Sequence, residues 1–209
     1  MKKIYFDNAA TTEISEKVIL EMMKAMKVNY GNPSSTHSHG RNSKAILELS
    51  RKTIAKKFNV NPKEIIFTSG GTESNNMIIK TVVIAQNIER IISTKIEHKA
   101  VLNSIESIAK ERGITILFLD VDEYGFPNKQ QLIEYLENSS EKTLVSLMHI
   151  NNETGTMIDL EEFGKICKSN NALFHSDTVQ TIGHYNIDLD KISIDFMTCS
   201  AHKLSLIHI

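Results

Sequence analysis

The chain has 209 residues, of which 41% are hydrophobic and 23% charged, the balance of an ordinary globular protein with one sizeable core. Its 24 basic and 25 acidic residues give a net charge of −1, which disfavours binding to nucleic acid or to an anionic membrane. The polar opening, Met1 to Asn8, is neither a secretory signal nor a membrane span. The two cysteines, Cys167 and Cys199, lie outside any CxxC spacing. These features predict a cytoplasmic protein in a reducing compartment, without a zinc site or a disulfide framework.

The first predicted elements are two helices. Ser15 is placed to cap a helix in which apolar residues recur at helical spacing from Val18 to Met26, and this helix is expected to pack one face. The turn-forming run 31–37 ends it. A second helix is predicted from about Asn42 to Phe58.

From Glu64 onwards, predicted strands and helices alternate. Residues 65–67 predict a short buried strand, Ser69 to Gly71 a turn, and Thr72 the start of a helix. The later elements are strand 91–92, helix 101–108, strand 114–119, helix 132–136, strand 144–148, helix 163–167, strand 172–175 and strand 196–198. This alternation predicts an α/β fold of three layers, with a mainly parallel sheet covered by helices on both faces.

Polar side chains follow the predicted ends of several strands, where ligands of parallel sheets gather. The clusters lie at 69–76, His98, 151–155, 177–180 and 200–203. Any one of these loops is polar by default, since loops usually are, but that explanation is a poor account of all of them together. The sheet topology therefore predicts one site that combines them.

The glycine turn at Ser69 to Thr72 has features of an anion site. Its backbone amides can approach an anion closely, the helix N-terminus adds partial positive charge, and Thr72 adds a hydroxyl. The spacing matches neither the P-loop nor the dinucleotide fingerprint, so this motif alone favours a plain turn with Thr72 as the helix cap.

Asp177 and Lys203 suggest a second kind of ligand group. Asp177 closes a strand, and a carboxylate held there requires a cationic partner such as a pyridinium nitrogen, although a helix cap explains it about equally well. Lys203 follows another strand, where partial desolvation would allow a neutral amine to form a Schiff base. A solvated surface lysine is the commoner alternative, so Lys203 supports a site only together with its neighbours.

Seven segments in this order resemble the cysteine desulfurases of the NifS/IscS type, members of the fold-type I, class V aminotransferase group of pyridoxal 5'-phosphate (PLP) enzymes. The segments are 5–12, 31–41, 67–76, 97–98, 151–155, 174–183 and 200–203. The resemblance implies a PLP-dependent transferase large domain over 15–203, incomplete at its C-terminus. An N-terminal arm, 1–14, would lie on the active-site side, and the tail, 204–209, does not match the family.

The resemblance also implies a role for each matching residue around the cofactor ring. Lys203 would bond covalently to PLP and move the Cα proton of the substrate, and Asp177 would pair with the pyridine nitrogen. Gln180 and Asn152 would lie near the phenolic oxygen. His98 would stack on the ring and help with proton transfer, with a plain helix cap as the alternative.

Four further matching residues would hold the cofactor phosphate. They are Gly71, Thr72, Ser200 and His202. The family substrate is L-cysteine, which becomes L-alanine, and the sulfur goes to iron-sulfur clusters, tRNA thiolation or a related pathway. The intact protein is accordingly expected to be a homodimer that serves a sulfur-acceptor or scaffold protein.

The resemblance does not extend to the sulfur nucleophile. In the family, a cysteine thiolate on a mobile loop in the later part of the chain takes the sulfur as a persulfide. Neither Cys167, in a predicted helix, nor Cys199, on the strand before Lys203, matches it, and a buried structural thiol is expected at both positions.

The sequence departs from the family after Lys203, where a Gly-Pro-Lys-Gly segment should follow and Leu204 to Ile209 stand instead. We hypothesise that the gene as written is truncated, with a frameshifted or foreign tail. Missing would be a strand of the sheet, the small C-terminal domain, a substrate-binding arginine and a threonine that reaches the partner's phosphate. Resequencing the locus tests this, and an authentic stop after Ile209 would contradict it.

Two alternatives stay open. Another class V enzyme, such as a selenocysteine lyase or a small-substrate aminotransferase, would share these motifs, and a persulfide assay on full-length protein separates it from a desulfurase. The chain by itself could instead be a non-catalytic fragment that binds at most PLP or a partner, with apolar surface uncovered and poor solubility.

Overall fold

The structure is a computed structural model, and it describes residues 4–203. In chain order the elements are α1 (Glu16–Val28), α2 (Ser38–Phe58), a 3-10 turn (Pro62–Glu64), α3 (Gly71–Ala85), β1 (Arg90–Thr94), α4 (Lys99–Arg112), β2 (Thr115–Leu119), α5 (Lys129–Glu137), β3 (Thr143–Ser146), α6 (Leu160–Ser169), β4 (Leu173–Asp177), β5 (Phe196–Thr198) and a second 3-10 turn (Ala201–Lys203). The predicted non-family tail, 204–209, lies outside the described residues.

A sheet of five parallel strands forms the centre of the fold, in the order β2-β1-β3-β4-β5. Its central strands are apolar on both sides, since Ile91 and Ile92 of β1 are fully buried, as are Leu144 and Val145 of β3. Neighbouring residues point to opposite faces. Ile91 and Leu144 pack with α3 and α4, whereas Ile92 and Val145 pack with α5 and α6. The prediction of a three-layer α/β fold with a mainly parallel sheet is confirmed.

Polar caps fix the first residues of two helices that follow strands. At the start of α4, His98 Nδ1 accepts a hydrogen bond from the Ala100 amide at 3.1 Å. At the start of α6, Asp159 Oδ1 accepts from the amides of Glu161 and Glu162. Each such cap stabilises its helix by about 1 kcal/mol. Because these helices begin at the carboxyl edge of the sheet, the caps also shape the loops there.

The predicted strand at 65–67 does not form. This segment is extended but pairs with none of the described strands, and Ile66 is 64% exposed. Arg51 holds it from the side, with its guanidinium 4.8 Å above the Phe67 ring and a hydrogen bond to the Ile65 carbonyl. An apolar run becomes a strand only where a neighbour accepts its backbone hydrogen bonds, and no described strand does so here.

The two amino-terminal helices also differ from the prediction. α1 begins directly after Ser15, as predicted, but none of its residues is buried and Met26 is 76% exposed. The expectation that it packs one face is therefore wrong for the described part of the chain. α2 begins at Ser38, earlier than predicted, because the His37 side chain accepts from the Gly40 amide and caps it. Despite this exposed apolar surface, no helix within 4–203 is long and apolar enough to cross a membrane.

Candidate active site

A cavity of about 500 Å³ opens at the carboxyl edge of the sheet. Small-molecule sites commonly have volumes of roughly 300–1,000 Å³. All of the residues that the sequence predicted for the site line this cavity: Gly71, Thr72, His98, Asn152, Asp177, Gln180, Ser200, His202 and Lys203. They belong to separate loops that meet only because parallel strands end at one edge of the sheet.

Asp177 lies at the floor of the cavity and is held rigidly. It is the last residue of β4 and is buried. Asn75 Nδ2 donates to Asp177 Oδ2 at 2.7 Å, and the Val179 amide donates to Asp177 Oδ1 at 3.0 Å. None of the ion pairs among residues 4–203 includes this carboxylate. It is therefore a buried, oriented acceptor suited to a cationic N–H group of a ligand.

The glycine turn lies at the cavity wall, where α3 begins at Gly71. A Cβ atom at Gly71 would lie 3.1 Å from Val179 Cγ2 and 3.6 Å from Ser200 Cβ, so a larger residue there would enter the space beside the helix start. The first amides of an α-helix have no partner within the helix. Together with the lining hydroxyls of Thr72 and Ser200, they form a cradle suited to a phosphate.

Lys203 lies in a 3-10 turn that the amino-terminal segment 7–12 ties down. The Thr12 amide donates to the His202 carbonyl at 3.1 Å, and the hydroxyls of Thr11 and Thr12 donate to the same oxygen. The segment also contributes Asp7, Ala9 and Ala10 to the cavity wall. Two parts of the chain far apart in sequence therefore fix the position of the lysine.

His98 both caps a helix and lines the cavity. It caps α4 through Nδ1, and it is exposed at the cavity wall. Because Nδ1 accepts a hydrogen bond from an amide, the neutral ring carries its proton on Nε2. A helix cap and a place in the site are therefore compatible.

Two buried residues near the cavity floor lie within the recognised motifs, although the sequence predicted no role for them. Asn75 is 1% exposed, binds Asp177 through Nδ2, and has no partner among the described residues for its Oδ1 atom. It stands four residues after Gly71, one helical turn away on the same face, which is a signal that the sequence contains. Glu97 is also buried, next to His98, and burial raises its pKa to about 8, with the charge of Asp177 adding to the effect.

The two cysteines differ from each other. Cys167 is buried in α6, as predicted, and burial raises its pKa to about 12. Cys199 is exposed, so the prediction of a buried thiol there is wrong. It follows β5, which is an outer strand of the described sheet and has no further described strand beside it. Partial desolvation and the charge of Asp177 still raise the pKa of this thiol, so neither cysteine is a ready thiolate at neutral pH.

Comparison with known proteins agrees with this geometry. The family described as Aminotransferase class-V matches residues 4–205. A relative named cysteine desulfurase IscS, from Dictyoglomus turgidum, is 42% identical over 204 residues, which are 97% of this chain and 51% of that protein. The chain thus spans about half the length of the curated relatives it matches.

Solved structures give the same likeness. A NifS-like protein superposes with a TM-score of 0.90 at 38% sequence identity, over 98% of this chain and 56% of that one. A structure described as SspA in complex with cysteine superposes with a TM-score of 0.89 at 30% identity, over 96% of this chain and 58% of that one.

Proposed function

The chain belongs to the class V aminotransferase family, and from this premise we propose that the whole protein is a PLP-dependent cysteine desulfurase. The observation that supports this best is the single cavity lined by Asp177, Lys203 and the Gly71 turn. The names of the relatives point to L-cysteine as substrate, and the described part of the chain offers an anion cradle, a buried carboxylate and a lysine that would suit PLP.

The cavity fits PLP at three points. The cradle at Gly71 and Thr72, with Ser200 and His202, would hold the phosphate. The oriented carboxylate of Asp177 would pair with the ring nitrogen, and Lys203 would bond to the aldehyde carbon. When bound, PLP supplies an electron sink that stabilises negative charge at the substrate Cα.

The chain's own residues would then bind and move protons. Once the substrate amine has replaced it on the cofactor, the freed amine of Lys203 would take the proton from the cysteine Cα, from a turn held in place by residues 7–12. His98 has its Nε2 atom free of the helix cap and would be the second proton donor or acceptor at the cavity wall. Asn152 and Gln180 would orient the ring from the side, since both line the same cavity.

The sulfur-accepting step requires a residue that these 209 positions do not supply. Cys167 is buried and Cys199 does not line the cavity. We propose that a cysteine elsewhere in the whole protein forms the persulfide. By the same likeness, we propose that the whole protein is a cytoplasmic homodimer that passes sulfur to an acceptor or scaffold protein, for iron-sulfur cluster assembly or tRNA thiolation.

The test is cofactor binding followed by turnover. We expect the purified chain, mixed with PLP, to develop the visible absorbance that arises when PLP bonds to a lysine. Lys203→Ala should abolish this band, whereas Lys191→Ala, at an exposed lysine that pairs with Asp188, should leave it unchanged. Soluble chain that never takes up PLP would contradict the proposal. In the full-length protein, sulfide release from L-cysteine is expected, and transamination without sulfide would indicate another class V enzyme.

A further inference from the structure

The turn that contains His98 is joined to the neighbouring strand by a buried carboxyl group. Glu97, 6% exposed, lies between the ends of β1 and β3. Its Oε1 atom accepts from the Met148 amide at 2.9 Å and from the Thr94 hydroxyl at 3.2 Å. A second hydrogen bond joins the same two segments with its donor on the β3 side: Asn151 Nδ2 donates to the Ile96 carbonyl at 2.8 Å. The turn before α4 is therefore fastened to the loop after β3.

We propose that Glu97 is a positioning residue, whose side chain fastens the His98 turn to Met148 and so keeps the imidazole at the cavity wall. Both His98 and Met148 line the cavity, whereas Glu97 does not line it. Its effect would therefore pass through its neighbours. This inference rests on the proposed function only in that the cavity is taken as the PLP site.

The bonding of Glu97 shows that it does more than fill space. Both of its hydrogen bonds end on Oε1, and Oε2 is buried without a partner among the described residues. None of the ion pairs within 4–203 includes it. An apolar side chain would fill the same volume without burying an unpaired oxygen. The specific contribution of the carboxyl is therefore its bond to the Met148 amide, which crosses to the loop after β3, while its bond to Thr94 stays within its own segment.

The local charges indicate that Glu97 works as a neutral acid. Burial raises the pKa of Glu97 to about 8, and the charge of the Asp177 carboxylate, which has the same sign, adds to this effect. A protonated glutamate and a glutamine have nearly the same shape and charge, and both retain an oxygen that accepts from the Met148 amide. Glutamine at position 97 should therefore keep the His98 turn in place, whereas alanine should not.

A matched control lies at the opposite edge of the same two strands. Glu89, just before β1, accepts from the Lys142 amide, just before β3, at 3.0 Å. This is the same kind of bridge between a glutamate and a backbone amide, but it is exposed and far along the strands from the cavity. Glu89→Ala removes a bridge without touching the His98 turn.

The experiment measures His98 directly in the cofactor-free chain. The imidazole resonances of the eight histidines are recorded by NMR, and His98 is assigned by its loss in His98→Asn. Glu97→Ala should shift or broaden the His98 signals, while Glu97→Gln and Glu89→Ala should leave them as in the parent chain. With PLP added, Glu97→Ala should weaken cofactor binding roughly 10- to 100-fold, the usual effect of a lost supporting contact.

Unchanged His98 signals in a folded Glu97→Ala chain would overturn the proposal. It would also be overturned if the His98 signals of Glu97→Gln shift or broaden as much as those of Glu97→Ala. If Glu97→Ala does not fold, Glu97→Met decides, since it fills a similar volume but offers no oxygen to accept from the Met148 amide. The proposal requires a shifted His98 signal there as well, and an unshifted one overturns it. Absence of PLP binding in every variant would contradict the proposed function alone, because the NMR comparison needs no cofactor.

Discussion

Two regions of this chain form helices equally well but bury their side chains very differently. Of the buried apolar side chains that the structure describes, Ala55 is the only one before residue 79. The amino-terminal region, 4–67, exposes Phe6, Met26 and Leu49, whereas the region 71–203 contains two apolar clusters, one on each face of the sheet. Helical spacing therefore predicts where a helix forms, but it does not predict what covers its apolar side.

The two regions meet at the cavity and at the end of α2, where Phe58 packs against the second region and its carbonyl accepts from the Leu189 amide. The second region supplies the phosphate cradle, Asp177 and Lys203, and the first supplies residues 7–12, which hold the Lys203 turn. This division predicts that substitutions in the second region affect folding and binding strongly. Substitutions in the segment 7–12 of the first region should act mainly through its contact with His202.

The largest expected effect is a cavity in the core of the second region. Phe174 of β4 is fully buried between α6 and its neighbouring strands. Phe174→Ala should lower the free energy of unfolding by about 3–5 kcal/mol, since both transfer free energy and packing are lost. Met26→Ala, on the exposed side of α1, should stay within about 0.5 kcal/mol. Denaturant unfolding followed by circular dichroism measures both, and equal effects would contradict the division into two regions.

The next effect concerns the charge at the cavity floor. Asp177→Asn keeps the shape but removes the charge that would pair with a ring N–H cation. We expect PLP binding to weaken by about 2–3 kcal/mol, the usual strength of a hydrogen bond to a charged group. The stability of the cofactor-free chain should not fall, because a buried carboxylate without a cation is removed. PLP titration and unfolding curves test this, and loss of stability without loss of affinity would contradict it.

The buried acids and histidines all lie in the second region, which makes its stability depend on pH. Burial raises the pKa of Glu97 to about 8 and lowers those of His149 and His175 to about 4 and about 3. The raised acid stabilises the fold below pH 4.5, and this stability is lost as the pH rises towards 8. The two histidines act in the opposite sense, because the unfolded chain binds their protons up to about pH 6.5.

Together, the contributions of Glu97 and the two buried histidines give a maximum of stability near the ordinary histidine pKa of 6.5. Between this pH and the pKa of Glu97, about 8, Glu97 dominates, because the two cysteines act only towards their ordinary pKa of 9.0. The free energy of unfolding should fall there by up to about 1.4 kcal/mol per pH unit. Glu97→Gln should remove this decline. Urea unfolding at a series of pH values provides the measurement. A decline that persists in the glutamine variant would show that Glu97 is not its source.

The alternation of strands and helices was predictable because β1 and β3 are apolar on both faces. Ile91-Ile92 and Leu144-Val145 can only be buried in a covered parallel sheet. The segment 65–67 has the same composition and still forms no strand, since strand formation depends on a neighbour as well as on composition. Sequence patterns specify how a segment prefers to fold, and they leave open what it pairs with.

The site was predictable to a similar extent. Strand ends mark where polar side chains gather, so the sequence alone suffices to assign Asp177 and Lys203 to one edge of the sheet. The contacts beneath them could not be assigned in this way. Asn75 and Glu97 read as ordinary helix and turn residues, and only the packing of α3 and of the β1 turn shows that they are buried against the cavity floor.

The smallest expected effect tests the contact that the two regions make at the cavity. Thr11 Oγ1 donates to the His202 carbonyl at 3.2 Å, from an exposed position in the amino-terminal segment. Thr11→Val keeps the shape and removes the donor, which should cost about 0.5–1 kcal/mol, or a two- to fivefold weaker affinity for PLP. The free energy of unfolding should stay unchanged, since Thr11 is exposed and belongs to neither apolar cluster. If affinity and stability fall together, the amino-terminal segment contributes to the fold as a whole, and the two regions are not separable in the way that their burial indicates.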